Sequence, residues 1–173
     1  ILVHGNGETH KIFDVLIAEL SKKHTVYAMD SRGHGQSAAV TEFHYSDMAD
    51  DVFEFVHALD LVKPAFYGFS DGGIIGLLAA SKHPTLFSAL AISGANLTPS
   101  GVKLPFRIKD RLHYFKSKDP LLHLMLTEPH ISKSDLAKIP IPALVLAGEK
   151  DMIKLSQTRQ IAKYIPDSTL KIL

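Results

Sequence analysis

The sequence predicts an α/β protein: a mostly parallel sheet with helices on both faces and a short helical lid inserted late in the chain. Three observations carry this. Short apolar or β-branched runs alternate with longer segments whose apolar residues recur three and four apart, the pattern of repeated βαβ units. One stretch, Ala95 to Ile139, breaks that rhythm and is too long for an ordinary connection. And 173 residues at 46% apolar and 21% charged content suffice for one sizeable core.

Strands are expected at 1–4 (ILVH), 25–30 (TVYAMD), 64–69 (PAFYGF), 87–94 (FSALAISG), 142–148 (PALVLAG) and 168–173 (STLKIL). Helices are expected between them, from about Thr9 to Lys23, Ser46 to Leu59, Asp71 to His83 and Leu155 to Ile165. In the first of these, Ile12, Val15, Leu16 and Leu20 fit a core-facing stripe, interrupted by Glu19. The inserted segment holds helical runs of its own, LPFRIKDRLHYFKS and DPLLHLMLTEP. The domain reading is therefore a core of 1–94 and 140–173 with a small helical lid at 95–139. Lid residues such as Leu104, Phe106, Ile108, Leu112, Phe115, Leu121 and Met125 have a spacing that suits either packing within the lid or the lining of an apolar acyl pocket, the former being favoured.

The net charge of +1 is spread without a long like-charge block, so neither a nucleic-acid partner nor a membrane partner is expected, and a small molecule is. With no cysteine, the chain has no disulfide framework and no thiolate chemistry, which fits a cytoplasmic location. No metal or organic cofactor is implied.

The chemistry gathers at strand ends. In GFSDGG, Ser70 sits where a buried strand meets a helix, and projecting its hydroxyl there demands a strained backbone. Gly68 and Gly72 lie two residues to either side, where side chains would collide, so Ser70 reads as a nucleophile. The alternative is an ordinary turn with Ser70 as helix cap. HGNG (4–7) follows the first strand, and acyl transfer needs two N–H donors for the oxyanion. The amides of Asn6 and Asp71 are assigned to that role, while His4 braces the loop rather than serving as a base. In DSRGHGQS (30–37), Asp30 and Arg32 are structural and His34 is expected to be exposed. Asp151, in GEKD after the strand PALVLAG, is the candidate acid that orients a base, with Glu149 as fallback.

Taken in order, HGNG, DSRGHGQS, GFSDGG, the lid-sized insertion and GEKD resemble the α/β-hydrolase superfamily over essentially the whole chain. GFSDGG followed by ISGAN looks most like the small serine esterases and amino-acid ester hydrolases similar to valacyclovir hydrolase. HGN also resembles the haloalkane dehalogenases, which carry Asp where this chain has Ser70. The resemblance implies acyl-enzyme formation at Ser70 on a small carboxylic ester or amide. Asp71, with Phe69 beside it, is a candidate substrate contact, the Asp71 carboxylate attracting an ammonium group. It also implies a catalytic His a few residues past the final strand, which lies beyond Leu173, and two strands before Ile1. The chain is thus expected to be cut at both ends and impaired. The lid histidines His113, His123 and His130 are poor substitutes, needing reach to both Ser70 and Asp151. Carbon–carbon bond hydrolysis, perhydrolysis and ligand binding without catalysis are the alternatives.

Overall fold

The structure is a computed structural model that describes residues 1–173. Six strands, β1 (Leu2–Val3), β2 (Ala28–Met29), β3 (Ala65–Phe69), β4 (Ala89–Ser93), β5 (Ala143–Ala147) and β6 (Ser168–Ile172), form one sheet in the order β2-β1-β3-β4-β5-β6. Every pairing is parallel. The order reverses at β1, so the loops after β1 and β3 leave the sheet side by side. Such a switch point is where open α/β sheets hold their ligands.

The helices are α1 (Asp14–Leu20), α2 (Tyr45–Ala58), α3 (Asp71–Lys82), α4 (Leu104–Ser117), α5 (Pro120–Thr127), α6 (Lys133–Leu136) and α7 (Leu155–Tyr164). The period-two alternation of the central strands assigns the two faces. Phe66, Leu90, Ile92, Ala143 and Val145 are buried on the face carrying α3, where Phe66 packs on Phe87. On the opposite face Tyr67 meets Phe13, from the 3-10 turn His10–Phe13 that precedes α1. That second face is covered sparingly: Ala65 and Phe69 are exposed and Tyr67 half-buried. No helix is long and apolar enough to cross a membrane.

Two expectations are corrected here. The stripe assigned to the first helix does not face the core: Ile12 is 44% and Val15 82% exposed, and α1 buries no residue. The segment opens as a 3-10 turn that buries Phe13, 4% exposed, while α1 itself presents no buried face. The lid residues Leu104, Phe106, Ile108, Leu112 and Phe115 are likewise exposed rather than packed. Of the expected lid runs, the first is α4 residue for residue and the second contains α5. The short α6 went unforeseen, although its capping box, Ser132 with Asp135, stands in the sequence. Around it Ile131, Leu136 and Ile139 are buried in the core.

The loop after β2 anchors the sheet edge to its neighbours. Burial on its own would raise the Asp30 carboxyl, but the His10 and Gln36 amides and the His10 ring donate to it and hold its pKa at about 2. Arg32 makes a two-pronged bond to Asp51 of α2 at 2.6 and 2.7 Å and reaches Asp47 at 3.2 Å. The two residues do not pair with each other; each ties the loop to a different element.

Candidate active site

Ser70 links β3 to α3 with φ 52° and ψ −114°, a left-handed conformation that costs a non-glycine residue about 1–3 kcal/mol. Close backbone packing holds it there. A Cβ on Gly68 would lie 2.1 Å from the Gly72 carbonyl oxygen, and one on Gly72 would lie 2.0 Å from that of Val3 in β1. Those oxygens belong to main chain and cannot swing away, so both glycines are obligatory and the helix start is pressed onto the sheet. The Ser70 amide donates to the Ser93 carbonyl at 2.7 Å, and the Gly73 and Ile74 amides return to the Ser70 carbonyl.

The HGNG loop runs directly beside this turn: a Cβ on Gly5 would come 3.1 Å from that of Ser70. Its amides are divided up by specific acceptors. Gly5 N–H donates to Glu8 Oε2 at 2.9 Å and Gly7 N–H to His34 Nε2 at 3.1 Å. Between them, Asn6 N–H has no acceptor in the protein, and neither has Asp71 N–H in the first turn of α3. His4, 1% exposed, donates from Nδ1 to the Gly5 carbonyl and accepts at Nε2 from Ser31 N–H, which keeps it neutral and bracing. Burial, the leading cause, lowers its pKa. The expectation that His34 is exposed is overturned: it is 7% exposed, because its ring is the acceptor that orders Gly7 while Nδ1 bonds the Arg32 carbonyl. Glu8 was missed altogether. Its signal was present, a carboxylate three residues after a loop glycine, but nothing in the sequence says which amide it takes.

Asp71 is buried, 7% exposed, and its carboxylate accepts from Asn6 Nδ2 at 2.9 Å, with Tyr45 lining the same pocket. Burial raises its pKa and outweighs the downward pull of Asn6 and Tyr45. The Tyr45 hydroxyl is raised well above its ordinary value by burial and by the neighbouring carboxylate. Asn6 Nδ2 also touches the Leu121 carbonyl of α5 at 3.4 Å, so one amide side chain joins loop, helix start and inserted segment. Ser70 and Asp71 line a narrow pocket with Tyr45, Asn96, Met125 and Glu128, of about 10 Å³, room for one water. Phe69 does not line it; its side chain lies on the face opposite α3 and is 36% exposed. Glu128, also missed, bonds the His44 ring and the Tyr45 amide at the start of α2.

Asp151 follows β5, with Oδ1 accepting from Ile153 N–H at 2.9 Å and Oδ2 turned toward Gly94 at the end of β4. Glu149 is exposed. The four imidazoles with polar partners engage Gly5 and Ser31, Asp30, Arg32 and Gly7, and Glu128; none bonds Ser70 or Asp151. The chain's last strand runs beside the same loop, Leu173 bonding Ala147 and Glu149.

A family model described as alpha/beta hydrolase fold matches residues 1–117. The chain belongs to that family. It is 29% identical to human serine hydrolase BPHL over 98% of its own length and 68% of the relative's. It is 34% identical to ethanol acetyltransferase 1 of Cyberlindnera jadinii, over 64% of its own length and 34% of that protein's. Among solved structures, a hydrolase from Oleispira antarctica superposes with a TM-score of 0.84 at 22% identity, covering 99% of this chain and 81% of that one.

Ionising Asp71 in its buried site costs stability above the pKa of the unfolded carboxyl, near 3.8, and nothing below it, because there both states bind the proton. Asp71→Asn is therefore expected to be more stable than the parent at pH 7 by about 1 kcal/mol, the ordinary scale of a single substitution. The gain should vanish below about pH 4 in thermal melts across pH. Equal stability at all pH values would show that the carboxylate is fully compensated.

Proposed function

We propose that the protein is a serine hydrolase that cleaves small carboxylic esters through an acyl-enzyme on Ser70. The carbonyl oxygen of the substrate sits between the amides of Asn6 and Asp71, and these stabilise the charge that develops as Ser70 adds. The observation that carries this reading is the division of amides in the HGNG loop. Its flanking N–H groups are spent on Glu8 and His34, which leaves Asn6 N–H, in the loop beside the Ser70 turn, and Asp71 N–H without acceptors. Asp151 orients the base from the end of β5. Within residues 1–173 no imidazole bonds Ser70 or Asp151, so a general base is not in place. Without it a serine hydroxyl is a weak nucleophile at neutral pH. The Asp71 carboxylate supplies a preference for substrates bearing an amino group, and α4 and α5 form a lid beside the pocket.

A fluorophosphonate probe tests the assignment. We expect slow labelling of the 173-residue chain at Ser70, acceleration by added imidazole standing in for the absent base, and none in Ser70→Ala. Labelling that imidazole does not accelerate, or rapid labelling without it, would contradict the account of the base; label elsewhere would remove Ser70. The role of Asp71 is read separately with an α-amino ester and its des-amino counterpart in the presence of imidazole. The parent should prefer the amino ester, on the order of tenfold, and Asp71→Asn should lose that preference. The same ratio in both would exclude Asp71 as the ammonium partner.

A further inference from the structure

Helix α4 is amphipathic in the wrong sense for a helix packed on its own protein. Leu104, Ile108, Leu112 and Phe115 recur at four, four and three residues and so share one face, yet they are 59, 51, 63 and 76% exposed. The residues of α4 that are half-buried are Arg107, Asp110 and Tyr114. The half-buried positions of the helix are thus polar or aromatic, while its apolar stripe is exposed, with Leu104 and Ile108 also lining the groove beside α5.

Charge accompanies the stripe. Residues 103–118 contain six of the chain's 19 Lys and Arg and only one of its 18 Asp and Glu, Asp110. At 100° per residue, Lys109 and Lys116 flank the stripe on one side, and Arg107 and Arg111 flank it on the other. At the helix end Lys118 lies over the rings of Tyr114 and Phe115, 5.4 and 5.0 Å from their centres. Between α4 and α5 runs a groove of about 400 Å³ whose lining includes Arg107, Arg111 and the single acid Asp110 together with Ile108, Met125 and Leu126. The even distribution of charge along the whole chain, which argued against a membrane partner, hides this concentration.

We propose that α4 docks the protein on an anionic lipid surface, lying flat in the interface. Phe115, Leu112, Ile108 and Leu104 enter the acyl boundary while the flanking Lys and Arg meet lipid phosphates. A basic helix with an exposed apolar stripe fits such a surface because the bilayer accepts both features in one plane without a shaped partner. The docked face adjoins the Ser70 pocket, since Val102 and Met125 line both that pocket and the α4–α5 groove. The proposal is independent of the chemistry at Ser70.

Flotation of the 173-residue chain with vesicles tests it, using phosphatidylcholine alone and phosphatidylcholine containing about one third phosphatidylserine. The parent should float with the anionic vesicles and not with the neutral ones, and raised salt should release it. Leu112→Ser with Phe115→Ser, and separately Lys109→Glu with Lys116→Glu, should each weaken binding at least about tenfold with unchanged melting temperature, because all four side chains are exposed. Failure of the parent to bind anionic vesicles, or undiminished binding by either double variant, overturns the proposal. So does a parent dimer in sedimentation equilibrium that Leu112→Ser with Phe115→Ser dissociates, since the stripe would then belong to a second copy.

Discussion

The site depends on one packing constraint: main chain pressed against main chain where α3 begins. Gly72 lies so close to the Val3 carbonyl, and Gly68 so close to Gly72, that no side chain fits at either position. That contact sets the end of β3 and the start of α3 against β1, and it holds Ser70 in a conformation its own preferences oppose. Because β1 and β3 are neighbours at the sheet's switch point, the same contact brings the loop after β1 beside the Ser70 turn. Strain at one residue is thereby met by the packing of a whole layer.

A second level of order is the distribution of donors in that loop. Asn6 is half-buried, and its amide is left without an acceptor in the loop beside a strained serine. Here the pairing of Gly5 with Glu8 and of Gly7 with His34 accounts for its neighbours, and His4 locks the loop from beneath. The Asn6 side chain then links the loop to Asp71 and to Leu121 of α5. On the proposed reading, a carbonyl placed at Ser70 would meet groups already fixed by these bonds.

The parallel sheet, the Ser70 turn and α4 were legible in the sequence because each rests on local rules: apolar period, glycine flanking and helix propensity. What escaped reading depends on partners far along the chain. His34 looks like a solvated loop residue until Gly7, 27 positions away, is found donating to its ring. Glu8 and Glu128 look like surface acids, and only the folded chain shows which amides they accept. The stripe of the first helix failed for a different reason: an apolar period does not supply a packing partner, and α1 buries no residue. The apolar residues of α4 were recognised as a periodic set, but period does not say whether a face turns inward or outward.

The proposed role of the Asn6 and Asp71 amides is to receive together the oxyanion formed at Ser70. It is tested most directly by the amide proton and nitrogen shifts of the 173-residue chain on addition of a small alkyl boronic acid, which forms a tetrahedral anion on a serine hydroxyl. The Asn6 and Asp71 amide protons should move downfield while those of Gly5 and Gly7, held by Glu8 and His34, stay in place, and Ser70→Ala should abolish the change. Unmoved Asn6 and Asp71 signals with the boronate bound at Ser70, or the same shifts in Ser70→Ala, would contradict it.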